Sequence, residues 1–333
     1  MYIVNSYSTA IIFTIITMLC WGSWANSQKI ASKSWRFELF YWDYVIGIFI
    51  LSVIMAFTLG SNGEIGMGVI ESIKQAHPSN IVSAMIGGII FNLSNILLVA
   101  AIAIAGMSLA FPLGVGLAMV LGVLINYIAT PKGDAMLLFT GICIVTIAIV
   151  LDAMAYRRLA KSEKRTPSKG IVLSVLAGFL MAWFFRFVAS SISSNLEVSE
   201  VGKLTPYSAF FFFVMGIIIS NFLFNTYLMK KPIDGPSVTF KQYFSGDFKS
   251  HLSGIIGGMV WAIGTSLSLI AGDKAGYAIS YGLGQGATMI GAFWGVFIWK
   301  EFRNSSKGTY QLLFMMFLLF IIGLGIIIYA GKN

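Results

Sequence analysis

Ten long apolar stretches, separated by short polar segments, dominate this sequence of 333 residues. Each is about 20 residues long, the length of an α-helix that crosses the hydrocarbon core of a bilayer. In chain order these stretches, numbered here as spans 1 to 10, are 9–28, 39–60, 81–105, 107–129, 135–156, 169–191, 206–229, 251–271, 275–299 and 309–330. The runs are continuous rather than alternating, which disfavours a membrane β-barrel. The sequence therefore predicts an all-α integral membrane protein with ten transmembrane helices.

Composition limits the classes of protein to which the chain can belong. Charged residues make up 11% of the sequence and hydrophobic residues 57%, whereas about 25% of an average soluble domain is charged. So few charges exclude an ordinary soluble enzyme and a disordered chain. The net charge of +9 lies mostly between the spans, where basic residues set membrane topology. We therefore expect contact with membrane lipid and no nucleic-acid partner.

No group of residues has the spacing of a catalytic or metal site. The two histidines, His77 and His251, are far apart, and both cysteines, Cys20 and Cys143, lie in apolar runs. Neither pattern fits a metal site or a disulfide framework, and no Walker sequence is present. The sequence predicts no enzyme activity, no metal and no cofactor.

Lysine and arginine are distributed unevenly between alternate connecting segments. With the N-terminus outside, 16 of them lie in inner segments and 5 in outer segments. The inner residues are Lys29, Lys33, Arg36, Arg157, Arg158, Lys161, Lys164, Arg165, Lys169, Lys230, Lys231, Lys241, Lys249, Lys300, Arg303 and Lys307. The outer residues are Lys74, Lys132, Lys203, Lys274 and Lys332. Because basic residues accumulate on the cytoplasmic side, both termini are predicted to lie outside.

A self-match at one constant offset divides the chain in two. Five glycines of spans 3 and 4 align without a gap on five glycines of spans 8 and 9: Gly87, Gly88, Gly106, Gly114 and Gly116 match Gly257, Gly258, Gly276, Gly284 and Gly286. Phe111 matches Tyr281 in the same alignment. Such repeats are typical of transporters. The match predicts two five-helix repeats, residues 1–157 and 169–333, joined by a basic cytoplasmic linker at 158–168; the alternative is chance similarity between glycine-rich helices.

An odd number of spans in each repeat has a geometric consequence. Equivalent helices then cross the membrane in opposite directions, so the repeats are inverted. Inverted repeats place a binding site near the bilayer midplane and permit alternating access. Pro112 in span 4 and its repeat mate Gly282 in span 9 are candidate gating positions because both soften a helix. Close helix packing explains them equally well.

Two segments are similar to those of a known group of transporters. They are Trp21-Gly22-Ser23-Trp24-Ala25-Asn26-Ser27-Gln28-Lys29 at the end of span 1 and Arg36-Phe37-Glu38-Leu39-Phe40-Tyr41-Trp42-Asp43-Tyr44 at the start of span 2. Together with the two repeats, they resemble the drug/metabolite transporter superfamily, in the branch of the glucose/ribose porters, rhamnose–proton symporters and ureide permeases. The resemblance implies a multi-pass protein of the bacterial inner membrane that carries a small polar solute and uses the proton gradient as its energy source.

Aromatic and amide side chains inside the spans are the candidate solute-binding residues. Trp21, Trp24 and Asn26 end span 1, where indole faces suit the apolar face of a solute and an amide suits its polar groups. An interfacial tryptophan belt is the alternative. Spans 3, 8 and 9 add further candidates, namely Asn92, Asn95, Trp261, Thr265 and Gln285. Hydrogen bonding between helices is the alternative for these amides and hydroxyls.

Arg186 is an ionisable residue within the apolar span 6. Such residues are costly in lipid and usually face a partner or a cavity. Trp183 lies one turn away and is a candidate cation–π partner. Both are predicted to bind solute, unless the arginine extends to the nearby membrane surface.

Proton coupling requires a titratable group inside the membrane. Asp43 lies about one turn into span 2, and Asp152 lies about one turn before the end of span 5. Both are candidates for the coupling site, because a carboxyl group that leaves water can bind and release a proton. An interfacial ion pair with a neighbouring lysine or arginine is the alternative for each.

These observations predict a secondary transporter that works by alternating access. The main hypothesis is proton-coupled uptake of a monosaccharide. The alternatives are a ureide, nucleobase or nucleoside permease and a drug or metabolite exporter. Because both repeats lie in one chain, a monomer is sufficient for this mechanism.

Overall fold

Long apolar helices build the fold. The computed structural model describes residues 1–31, 35–105, 110, 112–159, 167–233 and 235–332, and this part of the chain contains no β-strand. The helices are α1 (Tyr7–Ser23), α2 (Ala25–Ala31), α3 (Phe37–Phe57), α4 (Val69–Gln75), α5 (Pro78–Ala105), α6 (Leu117–Ala129), α7 (Ala135–Leu159), α8 (Pro167–Ser191), α9 (Pro206–Lys230), α10 (Phe240–Phe244), α11 (Phe248–Ala275), α12 (Tyr277–Gly284), α13 (Ala287–Phe293) and α14 (Lys307–Ala330). Two π-helical segments, Pro112–Gly116 and Trp294–Ile298, precede α6 and follow α13.

In the part of the chain that the structure describes, eight helical segments are long and apolar enough to cross a membrane, counting α1 and α2 as one. They correspond to predicted spans 1, 2, 3, 5, 6, 7, 8 and 10. Predicted span 4, at 107–129, contains a shorter apolar helix that covers Leu113–Ala129. Predicted span 9, at 275–299, is divided into α12, α13 and the second π-helical segment. The prediction of a multi-pass helical membrane protein is confirmed, but ten transmembrane helices in two inverted repeats are not.

Glycine explains the interruption of predicted span 9. Gly282, Gly284 and Gly286 lie within it, and glycine lowers the stability of a helix interior by about 1 kcal/mol relative to alanine. Gly276 separates α11 from α12 and has a φ of 85°. That backbone conformation strains any residue with a Cβ, so glycine is required at this turn.

Side-chain caps determine where two of the long helices, α9 and α11, begin. Thr205 and Ser208 form a capping box at α9, with Pro206 in its first turn. Asp247 caps α11 by accepting the backbone N–H of Ser250. Caps of this kind satisfy backbone donors that have no partner within the helix.

Two pairs of helices pack with their backbones in contact. In the pair α3 and α11, a Cβ at Gly258 would collide with the carbonyl group of Tyr44, and one at Gly47 would collide with that of Ile255. Only glycine permits so close an approach, so these positions tie α3 to α11.

The pair α5 and α9 repeats this arrangement. A Cβ at Gly88 would collide with the carbonyl group of Phe213, and one at Gly216 would collide with that of Met85. The helices α5 and α11 have 28 residues each. The offset that relates Gly88 to Gly258 also carries the first and last residues of α5 onto those of α11. On the side of α5 and α11, the observed contacts thus follow the offset at which the glycines of the sequence match, and the partners on α3 and α9 are related by an offset one residue shorter.

Some predicted features lie outside the described residues. These are Lys33, Gly106, Phe111 and most of the predicted linker, including Lys161, Lys164 and Arg165. The division into residues 1–157, 158–168 and 169–333 stays a prediction.

Candidate functional site

A cavity of about 540 Å³ lies between the helices. Residues from both predicted repeats line it, contributed by α1, α2, α5, α7, α8, α11 and α13. Its inner end is bounded by Phe91 and Trp261, which lie in the middle of α5 and α11. Its other end reaches Lys29 and Glu301, on the side that the charge distribution predicts to be cytoplasmic. The cavity therefore extends from the centre of the protein toward one face.

Aromatic rings form the inner end of the cavity. The rings of Phe91 and Trp261 are stacked with their centroids 4.5 Å apart. Trp21 stacks on Trp261 at 6.5 Å, and Phe184 contacts Phe91 edge-on at 5.2 Å. Stacked rings present flat apolar faces, which suit a flat or ring-shaped solute.

Three polar side chains of the wall come from different helices. Asn95 follows Phe91 by one turn on α5, Gln285 lies between α12 and α13, and Asp152 lies on α7. Each side chain is largely buried, with exposed fractions of 7%, 8% and 8% respectively. Asp152 Oδ1 has no hydrogen-bond partner among the described residues. The wall thus combines apolar rings with a few polar groups, as ligand sites commonly do.

The mouth of the cavity is formed by α2 and the segment that follows α13. Lys29 forms an ion pair with Glu301, and its ammonium group lies 4.4 Å from the centre of the Trp299 ring. Trp299 donates from Nε1 to Asn26 Oδ1 at 2.6 Å. Trp294 donates from Nε1 to Ser23 Oγ at 2.9 Å, one turn deeper. These contacts connect the end of predicted span 1 to the end of predicted span 9.

The structure brings most of the predicted binding residues to this cavity. Those in its wall are Trp21, Trp24, Asn26, Asn95, Trp261 and Gln285, and the predicted coupling residue Asp152 lies there too. Asn92 and Thr265 lie behind the wall. Asn92 accepts a hydrogen bond from Tyr41, and Thr265 accepts the indole N–H of Trp21 at 3.0 Å. Direct contact of these two residues with solute stays a prediction.

Arg186 and Trp183 do not line the cavity, although both lie on α8. The exposed fraction of Trp183 is 37%. Arg186 is partly exposed and lies within electrostatic range of Tyr277, at the end of α8 away from the cavity mouth. Their predicted role in solute binding therefore has no support from their position.

Asp43 lies in a separate buried cluster. It is 1% exposed and accepts hydrogen bonds from Trp35 at 2.9 Å, Tyr243 at 2.7 Å and His251 at 2.8 Å. Burial raises the pKa of the Tyr243 hydroxyl on α10 above its ordinary value, so the hydroxyl stays protonated and donates. The cluster joins α3 to α10 and α11, and Asp43 does not line the cavity.

The two predicted gating positions occur where helices are irregular. Pro112 begins the π-helical segment that precedes α6, and a π-helical turn commonly marks a functional site. Gly282 lies in α12, where a Cβ would approach Val123 Cγ2 to 3.1 Å. Their role in gating stays a prediction.

Several residues of the wall were not predicted from the sequence. Tyr156, Trp294, Trp299 and Glu301 border the mouth, and Gly291 lies in the wall with open space where a Cβ would project. The first four lie at the ends of predicted spans, where an aromatic or charged residue is ordinary. The described residues contain no group of three or more histidine, cysteine or acidic side chains that could hold a metal ion.

A bundle of long apolar helices around a solute-sized cavity is typical of membrane transporters. The sequence model of the ureide permease family matches residues 40–169 and 153–330, so the chain belongs to the ureide permease family. Two proteins of Arabidopsis thaliana are similar over their whole length. Ureide permease 2 is 25% identical over 399 residues and Ureide permease 1 is 24% identical over 390 residues, with 100% of both chains covered in each case.

A crystal structure with 14% sequence identity and a TM-score of 0.67 covers 98% of each chain. That similarity supports the fold alone.

Of the three groups named in the sequence analysis, the ureide permeases are the one that the comparisons show. The resemblance to glucose/ribose porters and rhamnose symporters is not shown. The matching relatives named above are plant proteins, so a bacterial inner membrane stays a prediction.

Proposed function

We propose that the protein is a carrier of small neutral solutes rich in amide N–H and C=O groups, such as ureides and nucleobases. The observation that carries this proposal is the composition of the cavity wall. Stacked rings at Phe91, Trp261 and Trp21 suit a flat heterocycle, and Asn95 and Gln285 suit its amide edges. The ureide alternative therefore replaces the monosaccharide hypothesis as the main one.

Alternating access between two inverted five-helix repeats is part of the proposal. The equivalent glycine contacts of α3 with α11 and of α9 with α5 support it, because a two-fold relation between repeats generates each contact twice. The interrupted elements at 112–129 and 277–298 complete ten crossings if each spans the bilayer as a broken helix. Broken helices are common around transporter binding sites.

The structure has the features of one end state of such a cycle. The cavity reaches the face that contains Lys29 and Glu301. At the opposite face, connecting segments contact each other: Asn80 donates to the carbonyl oxygen of Gly202 at 2.7 Å, and Lys132 donates to that of Asp273. With the predicted topology, this is the inward-open state.

Proton coupling completes the proposal, with Asp152 as the coupling residue. Asp152 lines the cavity, and its Oδ1 has no partner among the described residues, so a proton bound there is close to the solute. Asp43 is held by three donors outside the cavity. Its position favours a structural role at the junction of α3, α10 and α11.

Uptake into proteoliposomes tests this function. We expect purified protein to accumulate labelled allantoin or uracil faster when the outside is acidic, and we expect glucose and ribose not to compete. Uptake that sugars block and ureides do not would overturn the substrate class. Efflux of hydrophobic cations without uptake of either class would favour the exporter instead.

Gly291 offers a test that the cavity is the transport route. A Cβ at Gly291 would project into open space within the cavity, so Gly291→Leu should fill the route without a clash. Gly325 on α14 is exposed and also has open space around a Cβ, which makes Gly325→Leu the matched control. We expect the first variant to lose most uptake and the second to retain it. Equal uptake by both would contradict the assignment of the cavity.

A further inference from the structure

A chain of buried hydrogen bonds leads from a backbone carbonyl of α9 to the cavity wall. Ser220 donates to the carbonyl oxygen of Gly216 at 2.8 Å, and Asn92 donates from Nδ2 to Ser220 Oγ at 2.9 Å. Tyr41 donates its hydroxyl to Asn92 Oδ1 at 2.8 Å, and Asn95 donates from Nδ2 to the Tyr41 hydroxyl at 3.2 Å. None of the four side chains in this hydrogen-bond network is more than 7% exposed. Water therefore does not compete for these bonds.

Contacts with the backbone carbonyl groups of Gly216 and Ile217 on α9 favour one direction for every bond in this network. A hydroxyl has one proton to donate. Ser220 uses its proton on Gly216 and therefore accepts from Asn92, so the carbonyl end of the Asn92 amide faces Tyr41. Tyr41 donates to that oxygen and therefore accepts from Asn95. Because a backbone carbonyl can only accept, the chain fixes Asn95 with its Nδ2 toward Tyr41 and its Oδ1 away from it.

The orientation of Asn95 decides what it offers to a solute. Asn95 lines the cavity, and no described group donates to its Oδ1. Oδ1 is thus free to accept from a solute, whereas one of the two N–H groups on Nδ2 is committed to Tyr41 and only the other remains. An asparagine that was free to turn would offer either end.

A tyrosine orients the second amide of the wall in a similar way. The hydroxyl of Tyr281 donates to the backbone carbonyl of Met181 at 3.2 Å. The Gln285 side chain lies within interaction range of the same hydroxyl. Because the Tyr281 proton is used on Met181, this position favours Nε2 of Gln285 toward Tyr281 and its carbonyl oxygen away from it. Asp152 also lies in the wall, and its Oδ1 is buried without a partner among the described residues.

Several donors of the wall are used within the protein. The indole N–H of Trp21 is donated to Thr265, that of Trp294 to Ser23 and that of Trp299 to Asn26. These three indole donors are therefore not available to a solute.

We infer that the cavity recognises its solute through the solute's N–H groups, and that Tyr41, Asn92 and Ser220 are positioning residues that hold Asn95 as an acceptor. This inference rests on the proposed function and specifies its chemistry. A solute that keeps its carbonyl groups but loses its N–H donors leaves these buried oxygens unpaired. Loss of such a bond is a strong basis for discrimination.

Uracil and 1,3-dimethyluracil form the matched pair of probes. They share a ring and both carbonyl groups, but methylation removes both N–H donors. The measurement is inhibition of labelled allantoin uptake into proteoliposomes by each compound. We expect 1,3-dimethyluracil to inhibit about 100-fold more weakly than uracil. Inhibition within about threefold of uracil would overturn the inference and leave the proposed transport function standing.

Two tyrosines of α3 provide matched variants for the positioning role. Tyr41 and Tyr44 are both fully buried, with ring centroids 5.5 Å apart, but the Tyr44 hydroxyl has no partner among the described residues. Tyr41→Phe releases the Asn95 amide, which can then turn its N–H toward a solute carbonyl. We expect the ratio between the two inhibitors to fall about tenfold in Tyr41→Phe and to stay unchanged in Tyr44→Phe.

The ratio of two inhibitory concentrations does not depend on the amount of folded protein, so reduced folding cannot produce the expected change. An unchanged ratio in Tyr41→Phe would remove the positioning role. If neither allantoin nor uracil is taken up, and neither inhibits uptake of the other, the proposed function fails. This inference then fails with it.

Discussion

Phe91 and Trp261 stack on each other at the inner end of the cavity, with ring centroids 4.5 Å apart and planes inclined by 29°. Each is the fourteenth of the 28 residues of its helix, so the repeat offset that carries α5 onto α11 carries one ring onto the other. Residues at equivalent positions of α5 and α11 thus meet near the centre of the protein. Under the proposed mechanism, a pair at such a point would contact solute that arrives from either side of the membrane.

Trp261 is expected to provide much of the affinity for a flat solute. Trp261→Ala removes the stacking surface of the cavity and leaves a void beside Phe91. We expect the half-saturation concentration for ureide uptake to rise about tenfold or more, since stacked aromatic pairs contribute about 0.5–1.5 kcal/mol beyond the area that they bury. Trp261→Phe should recover part of the loss.

The control for Trp261 is a tryptophan outside the cavity. Trp183 on α8 is 37% exposed and does not line the cavity. Trp183→Ala should leave the half-saturation concentration unchanged. A similar loss in both variants would indicate that tryptophan removal acts through folding rather than through the site.

Asp152→Asn tests the coupling role, because asparagine keeps the shape of the side chain but cannot exchange a proton. We expect accumulation driven by a pH gradient to fall at least about tenfold. Exchange of labelled for unlabelled solute at equal pH on both sides should persist, because exchange requires no net movement of protons. The measurement is tracer uptake under the two conditions in the same vesicles.

Asp134→Asn is the matched control on the same helix. Asp134 accepts the backbone N–H of Leu137 at 2.8 Å at the start of α7, and asparagine caps a helix about as well as aspartate. Accumulation by this variant should match that of the unmodified protein. If Asp152→Asn still accumulates solute against a gradient, the coupling residue lies elsewhere.

The sequence indicated which segments form long apolar helices better than it indicated which face of a helix lines the cavity. Residues 177, 178, 181 and 184 of α8 line the cavity, and they recur at helical spacing on one face. Trp183 and Arg186 are turned about 100° and 200° from Phe184 around the helix axis. Because α8 is apolar on all of its faces, hydropathy could not show which side was turned to the cavity.

The glycine pattern was informative for a physical reason. Glycines that match between the repeats are needed where backbones touch, as at Gly88 and Gly258, so the sequence carries the packing directly. No sequence signal of this kind indicated which end of the Asn95 amide faces the cavity. It depends on Tyr41 and Ser220, which are distant in the chain and meet only in the folded protein.

Arg186 can now be tested against its predicted role. Its side chain does not line the cavity, so we expect Arg186→Ala to leave the half-saturation concentration for solute within about threefold of the unmodified value. The maximal uptake rate is measured in the same experiment, together with the amount of folded protein. An increase of about tenfold or more in the half-saturation concentration would instead restore Arg186 as a binding residue.

Gly258 is expected to be more important for stability than its size suggests. Gly258→Ala would place a methyl group against the backbone carbonyl of Tyr44, and a backbone atom cannot move aside as a flexible side chain can. Overpacking of this kind typically costs about 1–3 kcal/mol, so the apparent unfolding temperature in detergent should fall by several degrees. Gly325→Ala, which meets no atom within 4 Å, should leave the unfolding temperature unchanged or raise it, because alanine favours the helix.

Alanine at Gly88 should have the same effect as Gly258→Ala, since Gly88 makes the equivalent contact with Phe213. Equal unfolding temperatures for Gly258→Ala and Gly325→Ala would mean that α3 and α11 are not in backbone contact, and the two-fold relation proposed for the repeats would lose its main structural support.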